Sequence, residues 1–152
     1  LPFNLSEGEK RRVAIAGVLA MRPEFLALDE PTAGLDPLGV QAIKRILQNY
    51  QRQGKTVLLI SHNLDFVSAL AERIVVIHEG AILFDGHKND LFENHILLEK
   101  AGLAIPRTKA LLDALERQGW VKSTKLYDLE DIKAALLEKV NGLDSSRKAM
   151  QK

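Results

Sequence analysis

Short apolar runs alternate with stretches of helical spacing over the first half of the chain. Phe25–Asp29 and Thr56–Ser61 are compact apolar runs closed by polar residues, the pattern of buried strands. Between them Val40, Ile43, Leu47 and Tyr50 recur at helical spacing and predict a helix with one buried face. Its ends are marked by Asp36 as N-cap, Pro37 at the first helical position and Gly54 just past the last turn. An earlier helix opens near Ser6, with Val13, Ala16 and Ala20 among its apolar positions. Arg73–His78 and Ala81–Phe84, joined by Glu79-Gly80, predict a hairpin. Strands alternating with helices indicate an α/β fold built on a buried, mostly parallel sheet.

The texture changes near Asp85 to Lys88, after which the pattern is wholly helical. Arg107–Gln118 is closed by Gly119, and Asp128 caps a helix expected to end near Gly142, with Ile132, Leu136 and Val140 four apart. Trp120 is expected to anchor a small core there. The organisation expected is therefore an α/β part over 1–87, a helical appendage over 88–142, and a tail over 143–152 that has little to bury and frays.

Composition narrows the function. An apolar share of 46% against 27% charged residues excludes a disordered chain. Twenty-one basic and 20 acidic residues leave a formal charge of +1, so the electrostatic footprint of a nucleic-acid binder is absent and no nucleic-acid partner is expected. Without cysteine there is neither a disulfide framework nor a thiolate metal site, which fits a reducing compartment. The longest strongly apolar run, Val13–Met21, falls well short of the ~20 residues that cross a bilayer. The chain opens on Leu1 and reads as a piece of a larger domain.

Three groups of residues carry candidate chemistry. The strand Phe25–Asp29 delivers Asp29 and Glu30 to the carboxyl edge of the sheet, where ligands bind in open α/β folds. An aspartate there can hold Mg²⁺, and a glutamate after it can polarise an attacking water. Such an ending also suits ordinary turn residues. Ser6 and Glu9 stand three apart before an apolar run, which is a capping box. The same helix start, with Ser6 and the bare backbone of Gly8, also offers donors and a positive dipole end to a phosphate. His62 follows the second strand directly and belongs at the same sheet edge as Glu30. Ser61, His62 and Asp65 are too close in sequence to form a hydrolase triad. Lys10, Arg11 and Arg12 suit a solvated helix face, and His78, His87 and His95 lack metal-ligand spacing.

In order and spacing, these groups resemble the second half of an ABC-type ATPase domain. Leu5-Ser6-Glu7-Gly8-Glu9 is similar to the signature motif, and Phe25–Glu30 to Walker B with its catalytic glutamate. Ala33-Gly34-Leu35-Asp36 is similar to the D-loop, and Ser61-His62 to the switch histidine. Lys10–Gly17 and the tail segment Leu97–Pro106 resemble the energy-coupling-factor and cobalt-type importers of metals and vitamins. Two positions depart from the pattern, Glu7 standing where glycine is usual and Glu9 where glutamine is; Glu7 is expected to point away from any phosphate.

The resemblance implies the carboxyl-terminal part of a P-loop NTPase fold and an ATP-hydrolysing subunit that uses ATP and Mg²⁺. Asp29 would hold Mg²⁺ through water, Glu30 would be the general base, and His62 would contact the γ-phosphate. Asp36 would couple the two sites of a head-to-tail dimer, and Ser6 with Gly8 would clamp the nucleotide of the partner. The partners implied are a second ATP-binding subunit, identical or different, a transmembrane coupling subunit and a substrate-binding membrane subunit. The place implied is the cytoplasmic face of the membrane. No Gly-x-x-x-x-Gly-Lys-[Ser/Thr] phosphate loop occurs in the 152 residues, nor an assignable adenine-stacking aromatic or glutamine loop, so the chain alone is expected not to hydrolyse ATP. Two alternatives stand beside this reading: a soluble ABC ATPase of DNA repair or chromosome maintenance, and a non-catalytic interaction fragment.

Overall fold

The computed structural model of the protein describes residues 5–122 and 126–150, with 143–150 described by their backbone alone. Ser6 starts the first helix, α1 (Glu7–Ala20), through the expected capping box: its hydroxyl accepts from the Glu9 N–H at 3.3 Å, and the Glu9 carboxylate accepts from the Ser6 N–H at 2.8 Å. α1 does not bury Val13, Ala16 or Ala20. Its inward positions are Gly8, Arg11, Ile15 and Leu19, and only Ile15 is fully buried. The segment is apolar nearly all round between Val13 and Ala20, so its periodicity carries little information about which face packs.

β1 (Phe25–Asp29) and β2 (Thr56–Ile60) pair in parallel, from Phe25 opposite Thr56 to Asp29 opposite Ile60. They are connected through α2 (Pro37–Arg52), as a parallel pair requires. Ile43, Leu47 and Tyr50 of α2 are buried as expected, with Val40 packed beside them. The core they form joins Ile15, Leu26, Phe66 and Leu70, the last two from α3 (Leu64–Leu70). Leu28, Val57 and Leu59 pack against it from one sheet face. The expectation of a fully buried sheet holds for that face only: Phe25, Leu58 and Ile60 on the other remain at least half exposed. Parallel sheets are ordinarily covered on both sides, and the helices of this unit supply one cover.

These elements make up the first of two compact units, residues 1–70; the second spans 71–152. In it β3 (Arg73–His78) and β4 (Ala81–His87) form the expected antiparallel hairpin, with an irregularity between Val76 and Ile77. Glu79 (φ 50°) and Gly80 (φ 78°) are both left-handed, which is the two-residue turn whose twist matches a hairpin. Arg73 clamps Asp85 across the strands through two hydrogen bonds of 2.7 Å.

The helices α4 (Lys88–Glu93), α5 (His95–Lys100), α6 (Arg107–Arg117) and α7 (Leu129–Met150) follow. Leu112, Val121 and Ile132 form the small core between α6 and α7, joined by Leu115, Leu126 and Leu136. Two expectations change here. Val121, not Trp120, is the buried anchor, and Trp120 is 41% exposed. α7 also continues through Gly142 to Met150, since a mid-helix glycine costs only about 1 kcal/mol. Residues 151–152 of the expected frayed tail lie outside the described residues. Among the described residues no helix is long and apolar enough to cross a membrane.

Leu47 is fully buried, so Leu47→Ala should cost about 2–5 kcal/mol in a chemical denaturation experiment. Tyr127 gives a second expected outcome. Its ring lies 5.5 Å from Phe92, and its buried hydroxyl has no hydrogen-bond partner among the described residues. Burial, followed by the negative charges of Glu93, Asp113 and Asp90, pushes its pKa up from 10.0 to about 12. The folded state therefore holds this proton more tightly, and the stability it contributes is lost as pH rises from 10 through 12. Tyr127→Phe should cost little stability at neutral pH and should flatten the fall of the denaturation midpoint across that window.

Candidate functional site

The site begins where β1 leaves the sheet. The Glu30 N–H donates to the Ile60 carbonyl at 2.9 Å, extending the parallel ladder by one residue beyond Asp29. Glu30 then turns left-handed (φ 44°), and its carbonyl accepts from the Ala33 N–H at 3.1 Å. Because the strands run in register, this turn sets the Glu30 side chain against the end of β2. Its carboxylate accepts from the His62 N–H at 2.9 Å and meets His62 Nδ1 at 2.7 Å, both on Oε1, and accepts from Ser61 Oγ at 3.1 Å on Oε2. Ser61 Oγ in turn accepts from the Asn63 N–H at 3.1 Å.

Desolvation is the largest single influence on Glu30 and pushes its pKa up. The hydrogen bonds from the His62 ring and backbone and from Ser61, with the His62 charge, outweigh it and hold the carboxyl below its ordinary value. The group is therefore an ionised acceptor. A carboxylate has about four lone-pair directions, and three donors leave room for one more, such as a water. The His62 side chain is 87% exposed. With Nδ1 donating to Glu30, a neutral ring presents Nε2 as an acceptor, and a protonated ring donates from both nitrogens.

The other sequence-predicted residues stand apart from this network. Asp29 is exposed at the end of β1. Asp36 serves as N-cap of α2, its carboxylate accepting from the Gly39 N–H at 2.7 Å. The Ser6 hydroxyl is engaged by Glu9 at 2.9 Å. Glu7 pairs with Lys10 at 2.7 Å and is largely exposed. Gly8 lies against the loop before α2, where a Cβ would come within 3.1 Å of Leu35 and 3.2 Å of the Gly34 carbonyl. A side chain at that position would require Leu35 and the Gly34 carbonyl to give way by a few tenths of an ångström. Sequence reasoning missed Ser61 as a donor to Glu30, although a hydroxyl closing β2 beside His62 was the available signal. It also placed Arg11 in solvent, whereas the Arg11 guanidinium donates to the Glu30 carbonyl.

Comparison with known proteins bears on this geometry. A family model described as "AAA domain, putative AbiEii toxin, Type IV TA system" matches residues 1–68, nearly the first structural unit. The energy-coupling factor transporter ATP-binding protein EcfA2 of Clostridium perfringens is 44% identical over 138 residues, covering 90% of this chain and 48% of the relative. EcfA of Methanothermobacter thermautotrophicus is 45% identical over 125 residues, covering 82% and 40% respectively. The chain is a homologue of energy-coupling factor ATP-binding proteins. A solved structure of CbiO1 from Clostridium perfringens, described as part of the ABC transporter complex CbiONQ, agrees with a TM-score of 0.53 and 39% identity. That match covers 74% of this chain and 45% of CbiO1. This homologue thus spans about half the length of the curated relatives it matches, and its α/β unit is like a piece of an ABC ATPase.

In this homologue of energy-coupling factor proteins, the cap at Asp36 fixes where the loop after Glu30 ends. Asp36→Ala should lower stability by about 1 kcal/mol, and Asp36→Asn should retain most of it, as measured by thermal denaturation.

Proposed function

We propose that the chain is the part of an energy-coupling factor ATP-binding subunit that carries the general base for ATP hydrolysis, and that the intact subunit powers uptake of a metal ion such as cobalt or of a vitamin. The observation that supports this reading is the ionised Glu30 at the carboxyl end of β1, held by Ser61 and His62 from the end of β2. In a P-loop NTPase fold this edge is where the phosphates lie, and hydrolysis there is a matter of positioning and electrostatics. No phosphate loop occurs within the 152 residues, so ATP hydrolysis at this site needs one supplied from outside them.

Glu30 orients the attacking water with its remaining acceptor direction and takes its proton. His62, exposed and tied to Glu30 through Nδ1, donates from Nε2 to the γ-phosphate when its ring carries both protons. Asp29, exposed at the end of β1 next to Glu30 in sequence, would hold Mg²⁺ through water. Mg²⁺, when bound with ATP, supplies charge neutralisation on the phosphates. Ser6 and Gly8, at the start of α1, reach the nucleotide of a second subunit in a homo- or heterodimer, and Asp36 links the two sites. Of the apolar residues Leu111, Leu112, Leu115, Ile132, Leu136 and Val140 in the appendage over 88–142, Leu112 and Ile132 lie in its own core with Leu115 and Leu136 packed against them. Leu111 and Val140 remain exposed to hold the two subunits together. Transmembrane coupling and substrate-binding subunits complete the assembly at the cytoplasmic face of the membrane.

In the full-length subunit assembled with its partners, Glu30→Gln should retain ATP binding and lose about 10²- to 10⁴-fold in hydrolysis. His62→Ala should also lower turnover with little change in binding. Equilibrium nucleotide binding and phosphate release measured on the same preparations check both, and parent-level hydrolysis in both variants would overturn the assignment.

A further inference from the structure

The inward face of α1 consists of Gly8, Arg11, Ile15 and Leu19, at helical spacings of three, four and four. A charged residue thus occupies a position in the packing stripe, whereas its neighbours Lys10 and Arg12 are exposed. Arg11 reaches across 19 positions of sequence to donate to the carbonyl oxygen of Glu30. That carbonyl belongs to a residue with a Cβ in the left-handed region, a conformation that persists only where its surroundings enforce it.

The two peptide planes beside the Glu30 Cα are pinned separately. On the amino side, the Glu30 N–H is fixed on Ile60; on the carboxyl side, the carbonyl is fixed by Ala33 and by Arg11. Together they set the direction of the Cα–Cβ bond and aim the carboxylate at Ser61 and His62. Ala33 lies three residues on in the same turn and moves with it. Arg11 is the donor that ties the turn to a different element. It sits about one turn beyond Gly8 on a rigid helix, so a displacement of the helix start is transmitted to Glu30.

We propose that Arg11 is a positioning residue for Glu30: it holds the left-handed turn that aims the carboxylate and couples that aim to the position of α1. The proposal rests on the reading of Glu30 as the general base. Its test uses the full-length subunit in its assembled complex, with Arg11→Met, Arg11→Lys, Glu30→Gln and the double variant Arg11→Met/Glu30→Gln. Arg11→Met keeps a long apolar stem and removes the donors. It should lower kcat by about 10- to 100-fold with the KM for ATP nearly unchanged, the size expected when a reacting group is displaced by about 1 Å. Arg11→Lys keeps one donor and should recover part of the loss. In the Glu30→Gln background, Arg11→Met should add little, because its effect acts through the lost carboxylate.

Amide hydrogen exchange of His62 supplies a readout independent of turnover. Its N–H donates to Glu30, so exchange should accelerate in Arg11→Met while the thermal midpoint changes little. A parent-like kcat, a loss confined to KM, an additive loss in the double variant, or unchanged His62 exchange would overturn the proposal. If Arg11→Met does not fold, Arg11→Lys carries the same comparisons. If Glu30→Gln hydrolyses ATP like the parent, the general-base reading fails, while the His62 exchange still decides whether Arg11 sets the Glu30 carboxylate.

Discussion

The parallel register of β1 on β2 governs the rest of the first unit. Asp29 stands opposite Ile60, so the next residue of each strand, Glu30 and Ser61, arrives at the same edge with His62 immediately after. A slip of either strand by one position would reverse every side chain of that strand between the two faces of the sheet. Leu26 and Leu28, or Val57 and Leu59, would leave the core, which makes such a slip costly. Burial of four aliphatic side chains thus fixes the placement of one carboxylate.

At that edge, opposing electrostatic influences leave Glu30 charged. Removal from water favours its protonated form, and one such cost is met by three donors converging from the neighbouring strand end. Two of them, the Ser61 hydroxyl and the His62 ring, are side chains that can rotate away, while the His62 N–H is fixed by the backbone. The carboxylate is held by one permanent and two releasable partners, with one acceptor direction left open.

Much of this was legible in the sequence because local signals and tertiary packing agree. α2 shows a single apolar stripe between a proline start and a glycine stop, and the structure buries that stripe. The convergence of Glu30 and His62 followed from two apolar runs each ending in a polar residue. α1 was not legible in the same way, since a helix with apolar residues all round does not reveal its inward face. Arg11 was read as a surface cation because a hydrogen bond to a carbonyl 19 residues away leaves no trace in spacing. At Trp120 residue type was a poor guide, since size favoured the tryptophan whereas the turn after α6 placed the smaller Val121 inside.

The open face of the β1–β2 pair has a consequence for handling the polypeptide. Phe25, Leu58 and Ile60 sit together on a sheet of two strands whose outer edges have no strand partner among the described residues. Unpaired edges beside an uncovered apolar surface are templates for intermolecular strand addition. Self-association through that face competes with any partner that would cover it, so the concentration of the polypeptide governs how much of it remains dispersed.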